Sequence, residues 1–492
     1  MLTRSPSPQY PLIIAATLTL GILGGLVAGF VSGVDPLIPI AAFVAIGILI
    51  TFFSKFETVL LGLLVLRSSL DILSDYQIPA LLAIGLDVLA LIYVAVAILT
   101  RQPIKTDKFW WFFLGWVFLQ GMWVVLLPLG GLGMGSSLLS ESIREWIRFF
   151  SMTMVYLLVM QLKGKFPPQR LVSILLLSLI VPLTAAAIQI VIPPSMLPSL
   201  LVFDSGGTFE AGSRINGTLG HPATFSSFTV WALGLAYWKF TQATRKLPWL
   251  ILVATAAFFL VSSKALTGLI MMMVFVVIIM VPRLNIVNLL GTVVFIGLVI
   301  ALFGSSEFGQ ERLGSIGETP LLNPDIDHSR AILLSWRDGN SFNWRIAQWT
   351  FLLDAWREHP IFGHGIGSSK YLTYFSHLPH NDYIGTLTER GIVGLITFLI
   401  FLGTQFVRLL KLMMVAPRNG GQWTLCLVLI ALLLSMMMGM VTDNILTHTT
   451  LFFYWWTLFA IAGWDWEEVP KIPDYYQPQL HSYPLPTERT KL

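Results

Sequence analysis

The stretch PHNDYIGTLTERGIVGL places ionisable and hydrogen-bonding side chains directly before a long apolar run. His380 is the best candidate in the chain for a general acid or base, because an imidazole titrates near neutral pH. Asn381 and Asp382 are residue types that often cap a following helix. Capping does not explain His380, nor Glu389 and Arg390 deeper in the run. Because these last two are sequence neighbours, they cannot face each other on one helix, and we expect them to meet other helices or a polar ligand.

Three basic residues elsewhere in the chain are candidates for binding an anion. Arg214 in GSRINGTLGHP and Arg345 in NWRIAQW carry a planar guanidinium, which can bind a phosphate through two parallel hydrogen bonds. Lys264 in VSSKALTG separates two apolar segments without room for a sizeable loop, so its charge must face water, headgroups or an anion. The ordinary alternatives are an interfacial arginine for Arg214 and a turn lysine for Lys264. His221 and Asp443, which also adjoin apolar runs, complete the set of candidate site residues.

Familiar metal and nucleotide motifs give no competing interpretation. The chain has no H-E-x-x-H, P-loop or G-x-S-x-G sequence. The DID at residues 325–327 matches the D-x-D pattern with which nucleotide-sugar enzymes hold a divalent ion, but a three-residue match is weak. Cys426 is the only cysteine, which excludes an intrachain disulfide and a thiolate metal site.

The composition indicates a polytopic all-α membrane protein. Of the 492 residues, 55% are hydrophobic and 11% are charged, and the mean hydropathy is +0.76. The net charge of +4 comes from basic residues scattered between apolar runs, so we expect no nucleic acid partner. About fourteen (12–14) runs could span the bilayer. They are 11–31, 36–53, 57–73, 79–99, 109–129, 138–162, 170–193, 222–240, 248–262, 264–281, 285–304, 383–407, 422–442 and 449–465.

The connections between these runs predict the orientation in the membrane. Basic residues collect on one side, which is the cytoplasm by the positive-inside rule, and both termini then lie there. Seven of the eight histidines fall on the opposite side. There, residues 343–359 have the pattern of an amphipathic helix on the membrane surface. The predicted units are 1–304 with transmembrane helices 1 to 11, 305–382 as a long outer loop, 383–465 with helices 12 to 14, and 466–492 as a cytoplasmic tail.

Three segments in a fixed order resemble the O-antigen ligase and polymerase superfamily of bacterial membrane glycosyltransferases. They are RINGTLGHPATFSSF, NWRIAQWTFLLDAWREHPIFGHGIGSS and PHNDYIGTLTERGIVGL, with TDNIL near the end. The resemblance covers roughly Arg214 to Leu446, and it implies a GT-C type glycosyltransferase in the bacterial inner membrane with a periplasmic active site. The implied donor is an undecaprenyl-pyrophosphate-linked saccharide, and no metal or cofactor is implied. At Lys264 the family pattern usually has arginine, so the charge is retained but the bidentate fork is lost.

The resemblance also assigns roles to the candidate residues. Transfer from a lipid-linked pyrophosphate needs cations for the departing charge and a base for the acceptor hydroxyl. Arg214, Arg345 and Lys264 are the candidates for the first task, and His380 is the candidate for the second. The supporting residues are His221, Asn381, Asp382, Glu389, Arg390 and Asp443.

The acceptor stays open at this level. A polymerase adds a second lipid-linked repeat unit, whereas an O-antigen ligase transfers glycan to the lipid A-core of lipopolysaccharide. The segment ESIREWIRFF is more similar to polysaccharide polymerases than to ligases, and it favours the polymerase. A chain-length regulator is a further expected partner. An anion or saccharide transporter is the alternative from another class. Transporters, however, tend to place charged groups near the membrane midplane rather than at one face.

Overall fold

A computed structural model of the chain describes residues 37–130, 136–203, 214–305, 309–310, 314, 319–320, 323–337, 341–373 and 376–466. Its regular elements within these ranges are helices, without a strand, as expected for an all-α protein. The α-helices are Leu37–Ser54, Phe56–Leu66, Ile78–Leu99, Lys108–Gly130, Leu139–Met160, Pro168–Ile174, Ile180–Val191, Pro222–Gln242, Leu247–Ser262, Leu266–Met280, Ile286–Ser305, His328–Arg337, Ser341–Glu358, Asp382–Val415, Gly421–Thr442 and Thr449–Ala462.

Several of these helices could cross a membrane. Six in the described ranges are long and apolar enough by length and composition, which confirms a multi-pass membrane protein. They are Ile78–Leu99, Pro168–Val191, Leu266–Arg283, Ile286–Ser305, Asp382–Val415 and Gly421–Thr442. The predicted span 11–31 and the tail from 467 lie outside the described residues. The total of about fourteen spans stays a prediction.

The predicted spans 36–53 and 57–73 differ from the structure. Ile46–Ser54 and Phe56–Ser69 form one pair bent by 107°, which is a seventh candidate span only if the two are counted together. The bend lies at Lys55, whose backbone is not helical. The second α-helix ends at Leu66 because the polar residues that follow form tertiary contacts in short 3₁₀ turns.

The centre of the bundle is formed by the helices Pro222–Gln242, Gly421–Thr442 and Thr449–Ala462. Of the apolar window of Gly421–Thr442, 78% is buried inside the protein, compared with 11% for Ile286–Ser305, which therefore lies at the periphery. Trp231 and Trp455 are fully buried between the central helices. The central helices thus supply the rigid frame from which the polar ends emerge.

The predicted amphipathic helix 343–359 is present as Ser341–Glu358, here called the surface helix. Ala347 and Leu352 on one face are fully buried, whereas Asp354 and Arg357 on the other are exposed and form an ion pair. The buried face packs against the long helix Asp382–Val415, here called the kinked helix.

A break in the kinked helix fixes the loop that follows the surface helix. At Gly391 the backbone has φ +65° and ψ −168°, a region that only glycine enters readily. The break leaves helix backbone groups without helical partners, and residues 360–365 supply the missing ones. The four bonds are His364 N to Thr388 O (3.0 Å), Gly365 N to Glu389 O (2.8 Å), Ile392 N to Pro360 O (2.9 Å) and Val393 N to Ile361 O (3.3 Å).

Candidate active site

His380 and Asp443 form a hydrogen-bonded pair at the junction of two long helices. His380 lies just before the kinked helix, and Asp443 caps the end of Gly421–Thr442. The imidazole Nδ1 lies 3.0 Å from the carboxylate Oδ1. A quarter of the His380 side chain is exposed, whereas Asp443 is buried. Because the carboxylate engages Nδ1, the other ring nitrogen is the one placed to exchange a proton with a substrate.

The surroundings keep Asp443 ionised. Burial by itself raises the pKa of this carboxyl, but the hydrogen bond with His380 and the electrostatic influence of His448, His380 and Arg345 outweigh burial and hold its pKa well below the usual range. The carboxylate also accepts the backbone N–H of Asn444 at 2.9 Å. An ionised partner stabilises a protonated imidazole, as a general base requires once it has taken up a proton.

Arg345 lies beside this pair, on the first turns of the surface helix. Its Nη1 donates to the carbonyl of Thr442 at 3.3 Å, one residue before Asp443. The neighbouring Trp344 lies edge-on to the His380 ring, with 5.5 Å between the ring centroids. The surface helix therefore supplies both a cation and an aromatic wall to the histidine.

Arg214 and Lys264 reach the same region from two other segments. Arg214 Nε donates to the carbonyl of Ser263 at 3.3 Å, next to Lys264, which has a left-handed backbone with φ +52°. Thr267, three residues further on, accepts a hydrogen bond from Thr442 Oγ1 at 3.3 Å. Since Arg345 also binds the carbonyl of Thr442, the three basic residues predicted from the sequence lie around one set of helix ends.

His221 has a capping role in this structure. Its Nδ1 accepts the backbone N–H of Ala223 at 3.1 Å and so caps the helix Pro222–Gln242. Its ring lies edge-on to Phe203, with 5.2 Å between the centroids. His221 is in electrostatic range of Arg214, His380 and Asp443, which places it at the edge of the same group.

Asn381 and Asp382 join the kinked helix to the end of Gly421–Thr442 and the turn that follows. Asn381 Oδ1 accepts the first two backbone N–H groups beyond Asp382, at 3.0 Å each, so it is the N-cap. Its Nδ2 donates to the carbonyl of Val441 at 3.0 Å. Asp382 accepts the N–H of Leu446 at 3.0 Å. These two side chains set the distance between His380 and Asp443.

Glu389 and Arg390 lie in a different polar cluster. Glu389 Oε1 accepts the hydroxyl of Ser369 at 2.6 Å, and Arg390 Nη1 donates to Gln120 at 3.2 Å while its guanidinium lies over the Phe149 ring. As their spacing predicts, they face different neighbours. Their contacts bind the 360–370 loop and the helix Lys108–Gly130 to the kinked helix. They therefore stabilise the packing around this helix rather than contact His380 or Asp443.

The sequence interpretation passed over polar residues at the end of the helix Phe56–Leu66. Arg67 pairs with Asp71 at 2.5 Å and donates to Thr449 Oγ1 at 3.0 Å. Asp71 also accepts a hydrogen bond from Thr450 and lies in electrostatic range of His448. An i, i+4 charge pair inside a predicted apolar span was the available signal, because such pairs are rarely placed there without a use.

His448 is the buried histidine nearest to the predicted group. Its Nδ1 lies 2.9 Å from Ser227 Oγ, and it is in electrostatic range of both His380 and Asp443. It connects the helix Pro222–Gln242 with the start of Thr449–Ala462. Its position in the sequence, close behind Asp443 at an outer turn, was a signal for this placement.

An apolar pocket reaches the helix ends near Asp382 and Asp443. Its volume of about 540 Å³ includes open solvent at its mouth, and only about 30 Å³ of it is free for the centre of a water molecule. Leu446, whose N–H binds Asp382, and Met440 in the last turn before Asp443 both line it. The other lining residues are Phe113, Trp116, Arg148, Phe149, Met152, Phe398, Phe401, Leu402, Gln405, Leu433, Met436, Phe452 and Trp456.

Comparison with known proteins finds a family model that matches part of the chain. In the part of the chain that the structure describes, no group of three or more His, Cys, Asp or Glu side chains could hold a metal ion. No curated protein matches the chain. Residues 248–399 match the family model described as O-antigen ligase (Wzy_C), a segment that contains Lys264, Arg345 and His380. This segment, 152 of the 492 residues, is therefore similar to the O-antigen ligase family.

Proposed function

We propose that the protein transfers a saccharide from an undecaprenyl-pyrophosphate carrier to an acceptor hydroxyl at the periplasmic face of the inner membrane. The observation that carries the proposal is the His380–Asp443 pair, 3.0 Å apart, with Arg345 bound one residue away at Thr442. An oriented base beside a cation at a helix-end junction matches the two requirements of transfer from a lipid diphosphate. We further infer a GT-C type bundle of about fourteen spans with both termini in the cytoplasm.

In the reaction step, the bond between the anomeric carbon and the diphosphate oxygen breaks, and the acceptor oxygen bonds to that carbon. His380 takes the proton of the acceptor hydroxyl on Nε2, and Asp443 stabilises the resulting imidazolium. The diphosphate leaves with an additional negative charge. Arg214 and Arg345 stabilise that charge through paired donors, and Lys264 adds a point charge.

The apolar pocket supports a lipid-linked donor in particular. Its lining is mostly aromatic and aliphatic, and it includes Leu446, whose backbone N–H binds the Asp382 carboxylate. An isoprenoid tail in this pocket would leave its diphosphate at the helix ends. Binding energy from the tail would then help to hold the reacting bond in place, as remote parts of a substrate commonly do.

A substitution of His380 tests the proposal. With protein reconstituted in liposomes and a lipid-linked saccharide donor, His380→Ala is expected to reduce transfer by about 10²- to 10⁴-fold, the usual contribution of a general base. His359→Ala is the matched control, because His359 is exposed on the nearby loop and lies outside the site. Undiminished transfer by His380→Ala would contradict the base assignment. Movement of intact saccharide or of an anion across the liposome membrane, with no acceptor present, would favour the transporter instead.

We favour the polymerase over the ligase, with the ligase as the second candidate. Lipid-linked repeat units supplied alone distinguish the two, because only a polymerase can use them as both donor and acceptor. A ladder of products is expected. Transfer that requires added lipid A-core would establish a ligase.

A further inference from the structure

We propose that Gln189 is a positioning residue that holds the loop carrying Arg214 in its active geometry. The structural part of this inference rests on hydrogen-bond geometry. The expected effect on binding of a lipid diphosphate rests on the proposed function. Gln189 lies on the helix Ile180–Val191, outside the segment that matches the family model, and it is almost completely buried.

The Gln189 amide uses both of its ends to bind two backbone segments. Its Nε2 donates to the carbonyl of Leu201 at 2.8 Å and to Asn216 Oδ1 at 2.6 Å. Its Oε1 accepts the backbone N–H groups of Asn216 at 3.0 Å and Gly217 at 2.8 Å. Nε2 also lies 3.3 Å from the carbonyl of Gly217. A primary amide has two donor hydrogens and two acceptor lone pairs, so the four shorter contacts already use its full capacity. No aliphatic side chain can replace them.

Each of the two segments that Gln189 binds has a residue in or next to the contact between Arg214 and Phe203. Phe203 lies two residues after Leu201, and its ring lies under the Arg214 guanidinium with 6.0 Å to the centroid. Asn216 lies two residues after Arg214 on the other segment. Gln189 therefore fixes the relative position of the arginine and the aromatic ring that supports it.

The conformation of the loop needs such a clamp. Gly217 has φ +55°, and a side chain there would come within 2.7 Å of the Pro182 carbonyl, so the backbone is packed tightly against its surroundings. The next residue, Thr218, donates to the carbonyl of Ser68 at 2.7 Å. Because residues 214–221 have no regular secondary structure, side-chain amides and hydroxyls take the place of a helix or sheet in fixing their path.

The chain contains a matched control at a distant position. Gln161 is also buried, and its amide also holds backbone: Nε2 donates to the carbonyls of Lys105 at 2.9 Å and Leu157 at 2.7 Å, and Oε1 accepts the N–H of Lys105 at 3.1 Å. It contacts none of the candidate site residues. Replacement of Gln161 therefore measures the general effect of losing a buried side-chain amide that binds backbone groups.

The experiment compares Gln189→Leu with Gln161→Leu. Both variants are expected to lower the thermal unfolding temperature, because each leaves buried polar groups unpaired. Affinity for undecaprenyl diphosphate, measured on purified protein, is expected to fall about tenfold to a hundredfold in Gln189→Leu only, because a displaced Arg214 guanidinium loses its charge-assisted hydrogen bonds to the diphosphate. Equal affinity in the two variants would overturn the proposal.

A second measurement separates positioning from general damage. Arg214→Lys is expected to weaken binding strongly in the wild-type background but only slightly in Gln189→Leu, because a displaced guanidinium has already lost its contacts. Independent, additive losses would contradict the inference. If Gln189→Leu does not fold, Asn216→Ala removes one acceptor of the clamp and is expected to show the same coupling more weakly, whereas additive losses there would also contradict it.

The two proposals fail in different ways. Wild-type protein that binds undecaprenyl diphosphate in a Gln189-dependent manner but transfers no saccharide would refute the proposed function and leave the positioning role supported. If the wild-type protein transfers saccharide and the Gln189→Leu variant does so equally well, the positioning role is refuted and the proposed function is supported.

Discussion

Replacement of Asp443 by asparagine tests the pairing on which the proposed chemistry depends. Asparagine retains an oxygen near Nδ1 of His380, 3.0 Å away in the structure, and therefore retains the ring orientation while it removes the negative charge. A hydrogen bond to a charged group contributes roughly 1.5–3 kcal/mol and a neutral one roughly 0.5–1.5 kcal/mol. The imidazolium thus loses roughly 1–2 kcal/mol, which corresponds to a roughly 5- to 30-fold fall in kcat.

The Asp443 carboxylate stays ionised over the pH range of the assay, so the comparison with asparagine measures the loss of its charge at every pH. Its lowered folded pKa gives stability that is present above the unfolded value of about 3.9 and is lost only as the pH falls through the folded value.

The assay is transfer from a lipid-linked saccharide by reconstituted protein between pH 5 and pH 9. Asp354→Asn is the matched control, because Asp354 forms an exposed ion pair with Arg357 that should contribute little. A kcat for Asp443→Asn equal to that of this control at every pH would refute the assignment of Asp443 as the partner that orients His380 and stabilises its protonated form.

Three further variants test other parts of the site. Arg345→Lys should lower kcat/KM about tenfold or more through lost bidentate geometry, and activity equal to that of the exposed Arg357→Lys would argue for a structural arginine. Gly391→Ala should lower the free energy of unfolding by about 1–3 kcal/mol, because its backbone conformation is nearly restricted to glycine, whereas Gly403→Ala in the same helix should have little effect in the same unfolding measurement. Leu433→Trp should fill the pocket and raise KM for an undecaprenyl donor more than for a short prenyl donor; equal increases would exclude the pocket as the tail site.

Much of the fold could be predicted from composition and periodicity. Long apolar runs must form helices in a bilayer, because backbone groups there have no water to bind, and this constraint holds without knowledge of tertiary contacts. The surface helix was visible for a related reason, since the alternation of its apolar and charged residues has the helical period. Helix ends and breaks were less accessible. The run that contains Gly391 is continuous in hydropathy, and the break depends on backbone bonds from residues 360–365.

Residue type alone selected the two side chains that the structure places next to each other, and their role as a site stays a prediction. His380 stood out because a titratable ring beside an apolar run requires a reason, and Asp443 because it ends such a run. The pairing of the two could not be predicted, because it depends on how helices far apart in sequence pack. Gln189 was inaccessible for the same reason. A single glutamine in an apolar helix has no distinctive spacing, and its importance lies in contacts with residues 201, 216 and 217.

A structure of the protein with undecaprenyl diphosphate bound would test the central claim most directly. We expect the diphosphate at the helix ends, with guanidinium nitrogens of Arg214 and Arg345 about 2.7–2.9 Å from phosphate oxygens and with the isoprenoid tail in the pocket below Leu446. A diphosphate bound away from the His380–Asp443 pair, with neither arginine in contact, would contradict the account.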